Sequence, residues 1–255
     1  MDADEYYKRA GLSKSLLSHL IKSPAHLHSY LQEPQSEPTK DQVLGTAIHT
    51  ATLEPSKFRA EFVVAPVVDR RTKEGKTIYA EFAEANAGKT LISADDYQTT
   101  LKVSESLRRN ALFEQALRNG SPEVSLFAQA DNGLKIKGRF DLFDPETNTI
   151  WDIKTTQAAD PFGFRKEIFK YSYGLQASHY LELAKKTGLG NDKTKFVFIA
   201  VEKESPWAVG IYTLDQETIT KWDVARAVAF EAWRQALEND VYPAYNSNEI
   251  LTLSA

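Results

Sequence analysis

The sequence predicts an α/β domain with a mixed central β-sheet flanked by helices, and three features carry that expectation. Short runs rich in β-branched and aromatic residues recur at 123–129, 134–143, 149–155, 195–201 and 209–213, bounded by turn residues. Segments with apolar residues at helical spacing lie before, between and after these runs. No repeat, low-complexity segment or clear linker divides the 255 residues, which suffice to bury a sizeable core. A single domain over residues 1–255 is therefore expected, with N-terminal helices in 1–60 and a sheet with its helix in 120–215.

In chain order, LSKSLLSHLIKSPAHLHSYL (residues 12–31) sets Leu12, Leu16, Leu17, Leu20 and Ile21 at helical spacing behind a capping Ser13. Pro24 interrupts the pattern, so two short helices are expected. Residues 32–41 carry two prolines among polar residues and read as a loop. QVLGTAIHTATL (42–53) reads as a helix closed by Glu54 and Pro55, and 62–68 as a short strand. Residues 69–76, DRRTKEGK, read as an exposed loop with four cations in the seven residues from Arg70 to Lys76. Helices are expected over 77–88, 94–117, 161–187 and 215–239, and the tail from Val241 reads as irregular.

Composition narrows the function. Cysteine is absent, which excludes disulfides, zinc–thiolate and iron–sulfur sites and thiol catalysis, and fits a cytoplasmic protein. No apolar run is long enough to span a membrane, and the first residues lack the basic and apolar regions of a signal peptide. The net charge of −4 argues against a protein that simply coats polyanions, yet leaves room for a local basic groove around an acidic site.

The chemistry concentrates in KGRFDLFDPETNTIWDIKTT, residues 137–156. On a strand, alternation puts Asp152 and Lys154 on one face and Trp151 and Ile153 on the other. The turn at 144–148 folds the preceding strand back as a hairpin, bringing Asp141 near Asp152. Two carboxylates and a lysine suit a hard divalent cation and a water activated beside it. An Asp-x-Lys tripeptide equally describes a solvated ion pair on a strand, and these residues alone leave both readings open.

Further residues extend the pattern: Gly45-Thr46-Ala47-Ile48-His49, Glu123, Gly138-Arg139-Phe140-Asp141, Asp152-Ile153-Lys154, and Gln176 with Tyr180 one helical turn on. In this order the set resembles the PD-(D/E)XK nucleases of the RecB-like branch, and more closely the RecE-type and lambda-exonuclease-like enzymes of phage recombination. The resemblance covers nearly the whole chain, including the first helices and the 69–76 segment. It implies a restriction-endonuclease-like core. Asp141, Asp152 and the Ile153 carbonyl would bind Mg²⁺ or Mn²⁺, with His49 and Glu123 joining them. Lys154 would activate water, and Gln176 and Tyr180 would support the site and reach toward the DNA backbone. The second acid is Asp152, where many of these enzymes carry Glu, a reach shorter by one methylene.

Candidate DNA contacts are Arg70, Arg71, Lys73 and Lys76, with Arg139 two residues before Asp141, and Ser13, Lys14 and Ser15 at the start of a helix. Lys166 and Lys170 are weaker candidates. The resemblance implies a 5′→3′ exonuclease of double-stranded DNA ends that leaves 3′ overhangs for a single-strand-annealing protein, acting as a trimeric or tetrameric ring. An endonuclease of the same fold, or a catalytically silent DNA-binding relative, are the alternatives.

Overall fold

The computed structural model describes residues 3–34, 36–245 and 250; of the expected irregular tail, residues 246–249 and 251–255 lie outside the described residues. The elements run α1 (Ala3–Lys8), α2 (Lys14–Leu20), α3 (Pro24–Gln32), α4 (Lys40–Leu53), α5 (Pro55–Glu61), β1 (Phe62–Val64), α6 (Lys73–Ala85), β2 (Thr90–Ile92), α7 (Ala94–Arg109) and α8 (Ala111–Asn119). They continue as β3 (Ser121–Gln129), β4 (Lys135–Asp144), β5 (Thr149–Thr156), α9 (Pro161–Lys170), α10 (Tyr173–Thr187), β6 (Lys195–Glu202), β7 (Val209–Tyr212) and α11 (Gln216–Asn239). The five strands β3-β4-β5-β6-β7 form one sheet in that order, with β5–β6 parallel and the other pairs antiparallel. β1 and β2 make a separate parallel pair.

The local chemistry explains most boundaries. Ser13 caps α2, and Ser23 with Pro24 opens α3, so the proline that interrupts the apolar pattern starts a helix. Thr39 and Gln42 form a reciprocal capping box at α4. The tight β4–β5 turn is set by Asp144, whose Oδ1 accepts from Glu146 N at 2.9 Å.

Several expectations need correction. The 69–76 segment is not a flexible loop throughout: Thr72 accepts from Gly75 N at 3.0 Å, so α6 begins at Lys73 and Gly75 is buried in its first turn. Asn110 accepts from Phe113 N at 3.2 Å and caps α8, which splits the helix expected over 94–117. The helix expected over 161–187 breaks where Ser172 adopts a left-handed φ of 52°. β1 is shorter than the 62–68 strand, and the short elements α1 and β2 were not expected. Elements this brief carry too few residues to show a period.

Two layers of side chains sandwich the sheet. On one face Phe140, Phe143, Ile150, Phe196 and Phe198 pack with residues of α2, α3, α9, α10 and α11. On the other, Leu142, Trp151, Ile153, Ile199 and Val201 pack with α4, α7 and α8. Between Phe140 and Phe143 the facing of β4 therefore changes, since Leu142 packs on the opposite side from both. Asp141 lies at that change of facing.

The β4–β5 ladder is short, pairing only Leu142, Phe143 and Asp144 with Trp151, Ile150 and Thr149. Upstream of Leu142 the edge of β4 that faces away from β3 is used by the N-terminal segment instead. Leu12 N donates to Lys135 O at 2.8 Å, and Lys137 N donates to Leu12 O at 3.0 Å. Gly11 permits this approach, with a φ of 149° and Ile136 backbone 3.3 Å from where a Cβ would stand. Lys137, itself buried, donates through Nζ to the carbonyls of Tyr6, Tyr7 and Arg9. Residues 6–12 are thus bound to β4, and α2 starts beside the fork where β4 and β5 part.

Close helix packing holds α10 against α11. A Cβ on Gly174 would lie 2.1 Å from Trp222 Nε1, so the two helices approach only because this position is glycine. Gly174→Ala should destabilise the protein by about 1–3 kcal/mol through overpacking. For a chain of this size each kcal/mol lowers Tm by about 2–4 °C, which calorimetry can measure. An unchanged melting temperature would show that α10 and α11 separate without penalty.

Candidate active site

Three acids come from three adjacent strands. The register on either side sets Glu123 on β3 opposite Asp141 on β4, and Asp152 follows the last β4–β5 pair, Leu142 with Trp151. Glu123 adopts a left-handed φ of 56°, an unusual conformation for a residue with a side chain inside a strand. It sits opposite the point where β4 changes facing.

At the fork the Asp141 carboxylate takes the place of a ladder carbonyl: its Oδ2 accepts from Ile153 N at 2.7 Å. Burial, then the nearby charge of Asp152, hold the Asp141 carboxyl well above the usual carboxylate range, against the opposing pull of Lys154. His49 reaches the same place from α4. Its Nε2 donates to the Ile153 carbonyl at 3.1 Å, and its Nδ1 lies 3.6 Å from Asp141 Oδ2. Burial lowers the His49 pKa, with Lys154 adding to the effect, so the imidazole is neutral near pH 7. A neutral ring that donates through Nε2 turns the Nδ1 lone pair toward a carboxylate oxygen.

Asp152 is only 1% exposed. Its Oδ1 accepts from Gln176 Nε2, and its Oδ2 forms an ion pair with Lys154 Nζ. Yet Oδ2 is buried and accepts no well-formed hydrogen bond. The expected alternation of β5 holds, since Trp151 and Ile153 enter the core on the far side. Gln176 and Tyr180 share the inward face of α10. Tyr180 is buried against Phe140, ring centroids 4.8 Å apart, and burial pushes its hydroxyl pKa well up.

Tyr173, which the sequence reading missed, completes this stripe. It stands three residues before Gln176, and its ring lies under two cations: Lys154 Nζ at 4.8 Å and Lys14 Nζ at 5.7 Å from the centroid. The i, i+3, i+7 spacing of Tyr173, Gln176 and Tyr180 was the available signal. Lys14 is brought to the site by the binding of the N-terminal segment to β4. Burial, then repulsion from Lys154, lower its pKa to about 8.

A cleft of about 600 Å³ opens at Asp141 and His49, lined also by Lys14, Thr46, Glu123, Arg139 and Tyr180. Ser13 and Ser15 also line it, although the Ser13 hydroxyl is used to cap α2. Arg139 faces the cleft as expected, but its guanidinium is engaged by Glu123 and by Ser125 Oγ at 2.8 Å. Glu123 is correspondingly turned toward Arg139.

The cationic 69–76 segment is not part of this cleft. Arg70 stacks on Tyr79 at 4.0 Å and borders a different groove, and Arg71 is paired with Asp69. Lys73 and Lys76 lie on α6. Their grouping in sequence therefore does not place them at the acids.

The donor types around the fork, two carboxylates, a neutral imidazole and the Ile153 carbonyl, are those that suit a hard divalent cation. His49 Nδ1, 3.6 Å from Asp141 Oδ2, and the buried Asp152 Oδ2, whose charge is met by Lys154, are the polar atoms a cation would engage. Among the described residues, however, no three His, Asp or Glu side chains are grouped closely enough to form a metal cluster as they stand. Arg139 and Lys154 draw Glu123 and Asp152 aside.

The family described as "PDDEXK-like domain of unknown function (DUF3799)" matches residues 13–249. No curated protein matches the chain. A solved structure of a candidate exonuclease from Eubacterium rectale is 12% identical, aligns over 100% of this chain and 96% of its own, and has a TM-score of 0.68, so the two share a fold. A phage-related exonuclease from Haemophilus somnus 129PT is 13% identical over 93% of this chain and 100% of its own, with a TM-score of 0.38.

Cation binding can be tested apart from catalysis. Mn²⁺ should raise the Tm of the wild type in a dose-dependent way, because a ligand bound only by the folded state stabilises it. His49→Ala should move the midpoint of that titration to concentrations at least about tenfold higher, since even residues behind the ligands contribute 10–100-fold to metal affinity. Superimposable titrations for the two proteins would make His49 a packing residue.

Proposed function

The chain belongs to the PDDEXK-like domain family, and from that membership we propose that it is a divalent-metal-dependent nuclease that hydrolyses phosphodiester bonds in DNA. The observation that carries this reading is the fork itself, where Asp141 and Asp152 meet beside Lys154 and His49, with Gln176 fixing Asp152. PDDEXK nucleases generally use divalent metals. Asp141, Asp152, His49 and the Ile153 carbonyl are the groups that would hold Mg²⁺ or Mn²⁺, with Glu123 able to join if Arg139 releases it. A cation bound there would draw charge from the phosphoryl oxygen and acidify the attacking water.

The protein's own residues divide the remaining work. Lys154, held by Asp152 over the Tyr173 ring, orients the attacking water at the scissile phosphate. Lys14, near the same ring, offers a second positive charge to that phosphate. Gln176 holds Asp152 Oδ1 and so fixes the direction of the carboxylate. Tyr180 fills the space under β4 and excludes water from behind the acids.

The finer reading is a 5′→3′ exonuclease of double-stranded DNA ends that leaves a 3′ overhang for a single-strand-annealing protein, working as a trimeric or tetrameric ring. It is supported by the ordered set of motifs and by the description of the Eubacterium rectale protein as a candidate exonuclease. No helix among the described residues is long and apolar enough to cross a membrane, which is compatible with action on DNA in the cytoplasm.

A time course on linear and covalently closed circular duplex separates the possibilities. Linear DNA should be degraded from its ends in the presence of Mg²⁺ while closed circles survive; cutting of circles would make the protein an endonuclease, and inertness toward both a silent relative. Lys154→Ala should lose all measurable cleavage yet retain the Mn²⁺-dependent rise in Tm, with folding checked by circular dichroism. Near wild-type activity in that folded variant would remove Lys154 from the chemistry.

The Lys14 shift adds a pH dependence. A lysine whose pKa is lowered to about 8 is charged below that pH and neutral above it. KM for DNA should therefore rise as pH increases through about 8, and at lower pH if a cation occupies Asp152. In Lys14→Arg, which keeps its charge, KM should stay flat over the same range. Parallel KM profiles for the two proteins would show that Lys14 does not contact the substrate.

A further inference from the structure

Helix α9 leaves the end of β5 and carries a surface the catalytic reading does not use. Its inward face is ordinary: Phe164 and Ile168 are buried, and Glu167 accepts from the Thr156 hydroxyl at 2.7 Å, fixing the helix to the strand that bears Asp152 and Lys154. Its outward face is not. Phe162 is 71% exposed, Phe169 62% and Tyr171, just past the helix end, 44%. Phe162 and Phe169, seven residues apart, share that face and Tyr171 follows at the helix end, and exposed large rings of this kind mark an interaction surface.

The cations on that face are placed among the rings. Lys166 Nζ lies 4.1 Å from the Phe162 ring centroid and Lys170 Nζ 4.9 Å from that of Tyr171, and Arg165 is exposed beside them. The acids nearby are committed elsewhere, with Asp160 capping the helix and Glu167 turned to Thr156. A chain of net charge −4 thus presents a local surface of aromatic rings and positive charge. That surface is continuous with the site: the Tyr171 and Tyr173 rings are 5.6 Å apart, and Tyr173 lies under Lys14 and Lys154.

The geometry points to α9 as a stacking platform for single-stranded DNA leading to or from the fork, a conclusion that rests on the nuclease reading above. The occupant follows from the chemistry. Alternating rings and cations match the alternation of base faces and phosphates along one strand. Within a duplex all base faces but those of the terminal pair are covered by their neighbours, so a series of exposed rings can stack only along unpaired bases. The partner is therefore a separated strand beside the cleaved end, and the platform would hold that strand apart from its complement.

The test uses the full chain and a fluorescein-labelled oligothymidylate of about twenty nucleotides, long enough for the site sizes usual in such grooves. Affinity is read by anisotropy, and contacts by photocrosslinking an iododeoxyuridine version and mapping the adducts by mass spectrometry. Combined Phe162→Ala, Phe169→Ala and Tyr171→Ala should weaken oligothymidylate binding by about tenfold or more, as expected for lost base stacking. Phe162→Trp with Phe169→Trp should keep it. Duplex of equal length should bind both proteins alike, and adducts should map to these rings in the wild type. Hydrolysis of bis(p-nitrophenyl) phosphate with Mn²⁺, which needs only the fork, should be unchanged in the triple variant. Unaltered oligothymidylate affinity, or adducts confined to other elements, would overturn the platform. So would a changed sedimentation coefficient with unchanged affinity, which would make the face a contact between copies of the chain. Failure of the wild type to hydrolyse the small diester would instead count against the nuclease reading, leaving the binding result to be judged separately.

Discussion

The hydrogen bond from Ile153 N to Asp141 Oδ2 is the contact on which the site depends. The β4–β5 ladder ends at Leu142 and Trp151, and the next backbone donor, freed by the divergence of the strands, is taken by a side chain. A buried N–H without a partner is costly, so the carboxylate is fixed as firmly as a ladder carbonyl would be. The same divergence frees one edge of β4, which Leu12 then pairs. One departure from regular pairing thus exposes Asp141 and brings α2, with Lys14, to the fork.

Charge is distributed across the fork so that each acid has a partner of its own. Glu123 faces Arg139, Asp152 faces Lys154 and Gln176, and Asp141 relies on a backbone amide. Burial, and then repulsion from the neighbouring Asp152 carboxylate, raises the Asp141 pKa. Burial, and then repulsion from Lys154, likewise lowers the Lys14 pKa. Groups with opposing, environmentally shifted affinities for protons are frequent where proton transfer and charge stabilisation are carried out.

The proposed substrate surfaces follow from the N-terminal segment and from α9, which follows β5. Upstream, the N-terminal segment brings Lys14 and the serines of α2 to the cleft; downstream, α9 displays exposed rings and cations that lead to Tyr173. Tyr173 connects the two, since its ring meets Lys14, Lys154 and Tyr171. The cationic 69–76 segment, more conspicuous in sequence, does not line this cleft: Arg70 borders another groove, Arg71 pairs with Asp69, and Thr72 starts a helix that carries Lys73 and Lys76.

Much of this was legible in the sequence, because it depends on local periodicity. Two-residue alternation in 150–155 put Asp152 and Lys154 on one face whatever the sheet around them, and a 3.6-residue period aligned Gln176 with Tyr180. The five strands of the main sheet and the longer helices are also local in origin, as are the caps at Ser13 and Thr39. The three-dimensional arrangement alone decided what depends on distant segments meeting. The approach of His49 to the Ile153 carbonyl spans more than a hundred positions in the chain, and neither segment records the other. The partner of Arg139, the binding of the N-terminal segment to β4 through Lys137, and the convergence of Lys14 with Lys154 likewise appear only when β4 and β5 part. Local sequence sets which way a side chain faces along its own strand or helix; which groups it meets there is set by packing across the whole chain.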